Sequence, residues 1–129
     1  MIPFNVRLAN FLDSVSFVAD KGRQRAMWVE GNTKVSSVIS LGELYAQFFD
    51  DNDIDNFIAD ELDAAPLTNE QKDAIRSIRD ALNGFSKAPG KTANQVNDAD
   101  VIDDPEWGNL IRLAQATLIL FGKYVDAQA

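Results

Sequence analysis

Residues 51–56 read Asp-Asn-Asp-Ile-Asp-Asn, which puts side-chain oxygens at every second position. A hard cation such as calcium needs carboxylates and amides in that pattern, because a tight loop can turn alternate side chains toward one centre. Ile58 also falls where such a loop carries an apolar residue. Two departures count against it. Asn56 stands where the sharp turn requires glycine, and Leu62 stands where the closing bidentate glutamate belongs, with Glu61 one position early. Aspartate and asparagine are favoured in turns and at helix N-termini without any metal. No metal site is assigned from these residues, and no cofactor is expected.

Gly84 to Thr92 ends in Gly-Lys-Thr, as a phosphate-binding loop does. Five residues separate its first glycine from that ending where the motif has four, and Phe85 occupies the glycine position. A helical pattern precedes it and polar loop follows, so no helix N-terminus is aimed at a phosphate. Nucleotide binding is not expected. Asp98, Asp100, Asp103, Asp104 and Glu106 cluster as an acid/base pair or metal site would. The last three are accounted for by capping the helix that follows. Lys21, Arg23, Arg25 and Lys34 lie near Trp28 as a minor basic patch, read as solvated surface.

Histidine and cysteine are both absent. The commonest general base, the commonest transition-metal ligand and every thiol chemistry are therefore missing. Nucleophile-elbow, Ser-x-x-Lys and dinucleotide-binding glycine patterns are missing too. The chain is expected not to be an enzyme.

The formal net charge is −8, unevenly spread. Residues 41–63 carry eight acids (Glu43, Asp50, Asp51, Asp53, Asp55, Asp60, Glu61 and Asp63) and no base. Such a field disfavours nucleic acid or an anionic membrane surface and steers a basic partner inward. The N-terminus lacks a basic leader and an uninterrupted apolar run. The longest apolar run, Leu113 to Phe121, is broken by Gln115 and is too short to span a bilayer. A cytoplasmic protein without a membrane partner is expected, folded as one domain over residues 1–129.

The elements follow from apolar spacing and end signals. Pro3 opens a helix whose stripe is Phe4, Leu8, Phe11, Leu12, Val15 and Val18, with Gly22 expected to end it and Lys21 in its last turn. Gly31-Asn32 between Ala26–Glu30 and Thr33–Ile39 has the form of a hairpin turn, although a helical or irregular segment is favoured. Ser40 with Glu43 and Thr68 with Gln71 have capping-box spacing. Asp53 is expected to cap a helix carrying Ile54, Phe57, Ile58 and Leu62 that stops before Pro66. The helix opened by Thr68 presents Ala74, Ile75, Ile78, Leu82 and Phe85 on one side, with Asp73, Arg76 and Asp80 on a solvated side. Gly84 to Asp103 reads as a long irregular connection pinned by Val96, Val101 and Ile102.

The last helix is expected over 104–125, capped by Asp104 with Pro105 behind it. Trp107, Ile111, Ala114, Leu118, Phe121 and Val125 form one apolar row, and Leu110, Leu113, Thr117, Leu120 and Tyr124 form a second beside it. A face that wide belongs to a largely buried, central helix, with Leu110, Ile111, Ala114, Leu118 and Phe121 buried.

The expected fold is mainly α: an irregular bundle of about five helices with the C-terminal helix central, the alternative being α+β with one small hairpin at Gly31-Asn32. The expected function is a non-catalytic acidic module that binds a basic protein, in the manner of an immunity protein, antitoxin or inhibitor masking a nuclease toxin. Asp50, Asp51, Asp53, Asp55, Asp60 and Glu61 are the expected contact acids. Phe48, Phe49 and Phe57 lie beside them, and whichever stays partly exposed would anchor the contact, with Phe49 named for that role. The chain would work as a monomer or homodimer. A structural or homo-oligomeric subunit using the second row of the last helix is the alternative, and a carboxylate- and metal-dependent enzyme the third.

Overall fold

In the computed structural model, which describes residues 3–30, 40–87 and 98–122, the first helix, α1, is Phe4–Val18. The carbonyl of Pro3 accepts from the amides of Val6 at 3.1 Å and Arg7 at 3.0 Å. The helix stops four residues before Gly22. Asp20 turns the chain and starts α2, Lys21–Trp28, its Oδ1 accepting from the Arg23 amide at 3.0 Å. Gly22 and Lys21 therefore open a helix instead of closing one. The new cap wins because Gln24, one turn inside α2, donates from Nε2 to the carbonyls of Phe17 at 3.0 Å and Val18 at 2.8 Å. The Phe17 carbonyl also takes the Asp20 amide at 3.2 Å, and Val18 O is one of the terminal carbonyls that a helix end leaves open.

Ala26, Met27 and Trp28 are thus helical, in line with the favoured reading of this stretch, and the first strand of the alternative hairpin does not form. Residues 31–39, with Gly31, Asn32 and the second strand, lie outside the described residues. No strand occurs among the described residues, and the fold is a mainly α bundle.

Ser40 caps α3, Leu41–Tyr45, accepting from the Glu43 amide at 3.0 Å. The helix continues through Ala46–Asp51 as a widened turn, closed by a bond from the Asn52 amide back five residues to Gln47 O at 2.8 Å. The next helix, α4, is Ile54–Phe57, followed by a second widened turn, Ile58–Leu62. Asp53 precedes α4 but caps it differently from the expectation. Its φ is +48° and its carboxylate receives the side-chain amide of Asn56 instead of a backbone amide, while its carbonyl accepts from Phe57 N at 3.0 Å. The left-handed backbone turns the carboxylate away from the free amides.

Thr68 and Gln71 bond reciprocally, 3.1 Å and 2.9 Å, and open α5, Asn69–Lys87. This helix runs past Gly84 into the stretch expected to be irregular. Phe85 is buried with its ring 5.3 Å from that of Trp107, so the last turn is held by packing. A short helix, α6, is Asp98–Val101, and Val101 and Ile102 are buried as expected. Val96 and residues 88–97 lie outside the described residues.

The last helix, α7, is Pro105–Leu120, with Asp104 Oδ1 accepting from Glu106 N at 2.9 Å. It packs against α1 and α5, which makes it central. Trp107, Leu110, Ile111, Ala114, Thr117 and Phe121 are buried. Leu118 departs from the expectation: it is half-buried at the edge of the core, and Thr117 has the interior position. Thr117 can be buried because its hydroxyl donates to Leu113 O at 2.8 Å, one turn back. The helix also ends earlier than expected. At Phe121 the backbone leaves α geometry, and Gln71 Nε2 takes the carbonyl of Leu120 at 2.8 Å. Lys123, Tyr124 and Val125 lie outside the described residues.

Candidate interaction surface

The acids of residues 41–63 have no basic neighbour along the chain, but the fold supplies some from elsewhere. Arg7 of α1 pairs with Glu61. Arg79 of α5 pairs with Asp55 at 2.7 Å and with Asp80 at 3.2 Å. Arg76 pairs with Asp63 at 2.5 Å and Asp73 at 3.4 Å. Asp55 raises the pKa of Arg79 further above its ordinary value, so the guanidinium stays charged. Asp55 and Glu61, two of the expected contact acids, are therefore engaged inside the chain. Sequence alone hid this because the matching arginines come from helices remote in the chain.

Asp50, Asp51, Asp53 and Asp60 are exposed and form no ion pair with the described residues. Glu43 is exposed likewise. Of the three phenylalanines, Phe48 and Phe57 are core residues. Phe49 is half-buried, stacked on Tyr45 at 5.9 Å with the rings nearly parallel, and 6.0 Å from the Arg79 guanidinium. The Tyr45 hydroxyl donates to Leu82 O at 2.7 Å, and burial pushes its pKa well above the usual tyrosine value. This pair ties the end of α3 to α5.

Two depressions border the acidic segment. One, of about 260 Å³, lies between α1 and the end of α3 and is lined by Asn10, Asp13, Ser14, Gln47, Asp51 and Asn52. The other, about 300 Å³, lies between α4 and α5 and is lined by Asp55, Ile58, Ala59, Arg76, Arg79 and Asp80. Neither exceeds the low end of the ~300–1,000 Å³ typical of small-molecule pockets. Asp51, Asp53 and Asp55, the alternate oxygens of the calcium-like pattern, do not share one centre: Asp53 receives Asn56 and Asp55 turns to Arg79.

The other sequence candidates are dispersed by the fold. Gly84 sits inside α5, with Lys91 and Thr92 outside the described residues. Lys21 approaches Asp103 at 4.0 Å, and Arg23 bonds Ser16 and covers the ring of Phe17, so these two members of the basic patch turn to their own neighbours, while Lys34 lies outside the described residues. Asp104 is the α7 cap. No described helix is long and apolar enough to cross a membrane. Arg7, Gln24 and Asn52 are the polar residues whose roles the sequence did not announce. Comparison with protein-family models, curated proteins and solved structures produced no match to this chain.

Proposed function

We propose that this chain is a non-catalytic acidic binding module that meets a positively charged protein, as an immunity protein, antitoxin or inhibitor of a nuclease toxin would. One observation carries this reading. The fold recruits arginines to Asp55, Glu61 and Asp63 but leaves Asp50, Asp51, Asp53 and Asp60 exposed on the same segment, with no ion pair among the described residues. A surface built only for solubility is served equally well by mixed signs. Unpaired carboxylates at an interface rim act mainly on the association rate and make it fall with salt. The half-buried ring of Phe49 lies on the same stretch as an apolar contact.

The test uses an oligolysine peptide as probe and stopped-flow association at low and moderate salt. Asp50, Asp51, Asp53 and Asp60 are changed together to Asn. A control variant loses the same charge elsewhere through Glu30→Gln, Glu70→Gln, Asp100→Asn and Glu106→Gln, all at exposed positions. The first variant should associate about 10-fold more slowly than the control, with a flatter salt dependence. Equal slowing in both would mean that the acids act only through net charge, and the reading fails.

A homo-oligomeric role has one observation of its own: Ile119 is 79% exposed and Leu120 beside it 37%. The second row as a whole does not supply that interface, since Leu110 and Thr117 are buried within the chain. A dimer by sedimentation that Ile119→Glu converts to monomer would favour this role.

A further inference from the structure

Arg7 reaches from α1 into the junction between the α3 segment and α4. Its Nη2 donates to the carbonyls of Asn52 at 3.3 Å and Asp53 at 3.1 Å, and its Nη1 bonds Glu61. The guanidinium carbon lies 5.0 Å from the centroid of the Phe57 ring. The side chain is only 14% exposed. Further along the same helix, the buried Ser14 accepts from Asn52 Nδ2 at 3.2 Å. Asn52 is thus held twice by α1, through its carbonyl and through its side-chain amide. Here the backbone departs from regular helix, with a five-residue hydrogen-bonded turn on one side and the positive φ of Asp53 on the other.

Asn52 separates Asp51 from Asp53, two of the acids with no ion pair among the described residues. We propose that Arg7 is a positioning residue for the acidic face. By holding the Asn52 and Asp53 carbonyls, it fixes the direction in which Asp51 and Asp53 present their carboxylates to a basic partner. This inference rests on the binding reading above. Charge alone works in the opposite direction: Arg7 is a cation beside the acids, so removing it should attract a polycation more strongly. Lysine is no substitute, because one ammonium cannot hold both carbonyls and Glu61 while lying over Phe57 as the planar fork does.

The experiment compares the native chain with Arg7→Gln, Arg7→Lys and, should either fail to fold, Ser14→Ala, which releases the side-chain amide of Asn52 and the local bond from Ser14 Oγ to Asn10 O. Two quantities are read: association with the oligolysine probe, and amide hydrogen exchange. Positioning predicts association slower by at least about threefold in both Arg7 variants, against the charge effect in Arg7→Gln. It also predicts faster exchange confined to residues 50–56, with α5 and α7 unchanged. Faster association in Arg7→Gln overturns the proposal, as does unchanged exchange at 50–56 or acceleration spread through all helices. If the native chain shows no preference for the acidic face over the control variant, the binding reading falls by itself. The exchange data then still decide whether Arg7 sets the junction.

Discussion

The indole Nε1 of Trp107 donates to Oε1 of Gln24 at 2.9 Å, across 83 residues of chain. The same glutamine donates through Nε2 to the carbonyls of Phe17 and Val18, and both residues are fully buried. One side chain therefore closes α1, orients α2 and anchors α7. Removing it strands the indole donor and takes from Val18 O its bond in the interior, while Phe17 O keeps the Asp20 amide. Each buried group left unmatched costs about 1–3 kcal/mol. Gln24→Leu is expected to lower stability by at least that much in urea unfolding. In a double-mutant cycle with Trp107→Phe, the combined loss should be smaller than the separate losses added together, because the second change no longer strands a partner.

Asp53 holds φ at +48°, a conformation that glycine adopts without a steric penalty. Its carboxylate accepts from the side-chain amide of the exposed Asn56. Asp53→Gly should be neutral or stabilising by up to about 1 kcal/mol, whereas Asp53→Val should cost about 1–3 kcal/mol. Urea midpoints of the two variants check the ordering. A destabilised glycine variant with an unaffected valine variant would contradict it.

Gly84 lies within α5 at an exposed position, and a Cβ built there meets nothing within 4 Å. Glycine inside a helix loses more backbone freedom on folding than alanine does. Gly84→Ala should therefore stabilise the fold by about 0.5–1 kcal/mol, raising Tm without changing the urea slope. A lower Tm would show that the end of α5 is not helical.

Tyr45 gives the fold a sensitivity to alkaline pH. Burial raises the pKa of its hydroxyl, so the unfolded chain ionises at the ordinary value while the folded chain stays neutral. The unfolded state then binds fewer protons, and stability falls as pH rises beyond about 10. Below that pH the contribution is fully present. Tyr45→Phe should flatten this alkaline decline while losing the bond to Leu82 O at neutral pH. Urea midpoints on either side of the ordinary tyrosine pKa measure both effects.

What the sequence by itself determined is local. Ser40 over Glu43, Thr68 with Gln71 and Asp104 before Pro105 each open a helix where spacing places them. Such bonds close within three residues and need no partner from elsewhere. Apolar periodicity likewise marked α1, α5 and α7, and the width of the α7 stripe foretold its place between α1 and α5. Only the tertiary structure decided the rest. Whether Lys21-Gly22 closes a helix or opens one depends on Gln24 meeting the end of α1 and Trp107 together. Whether Thr117 or Leu118 is buried depends on two helices packing against α7 at once. The acidic segment carries no base along the chain, but Arg7, Arg76 and Arg79 arrive from α1 and α5 to pair with Glu61, Asp63 and Asp55. Charge acts through space while sequence orders it along a line, so the free acids could be told from the paired ones only after folding.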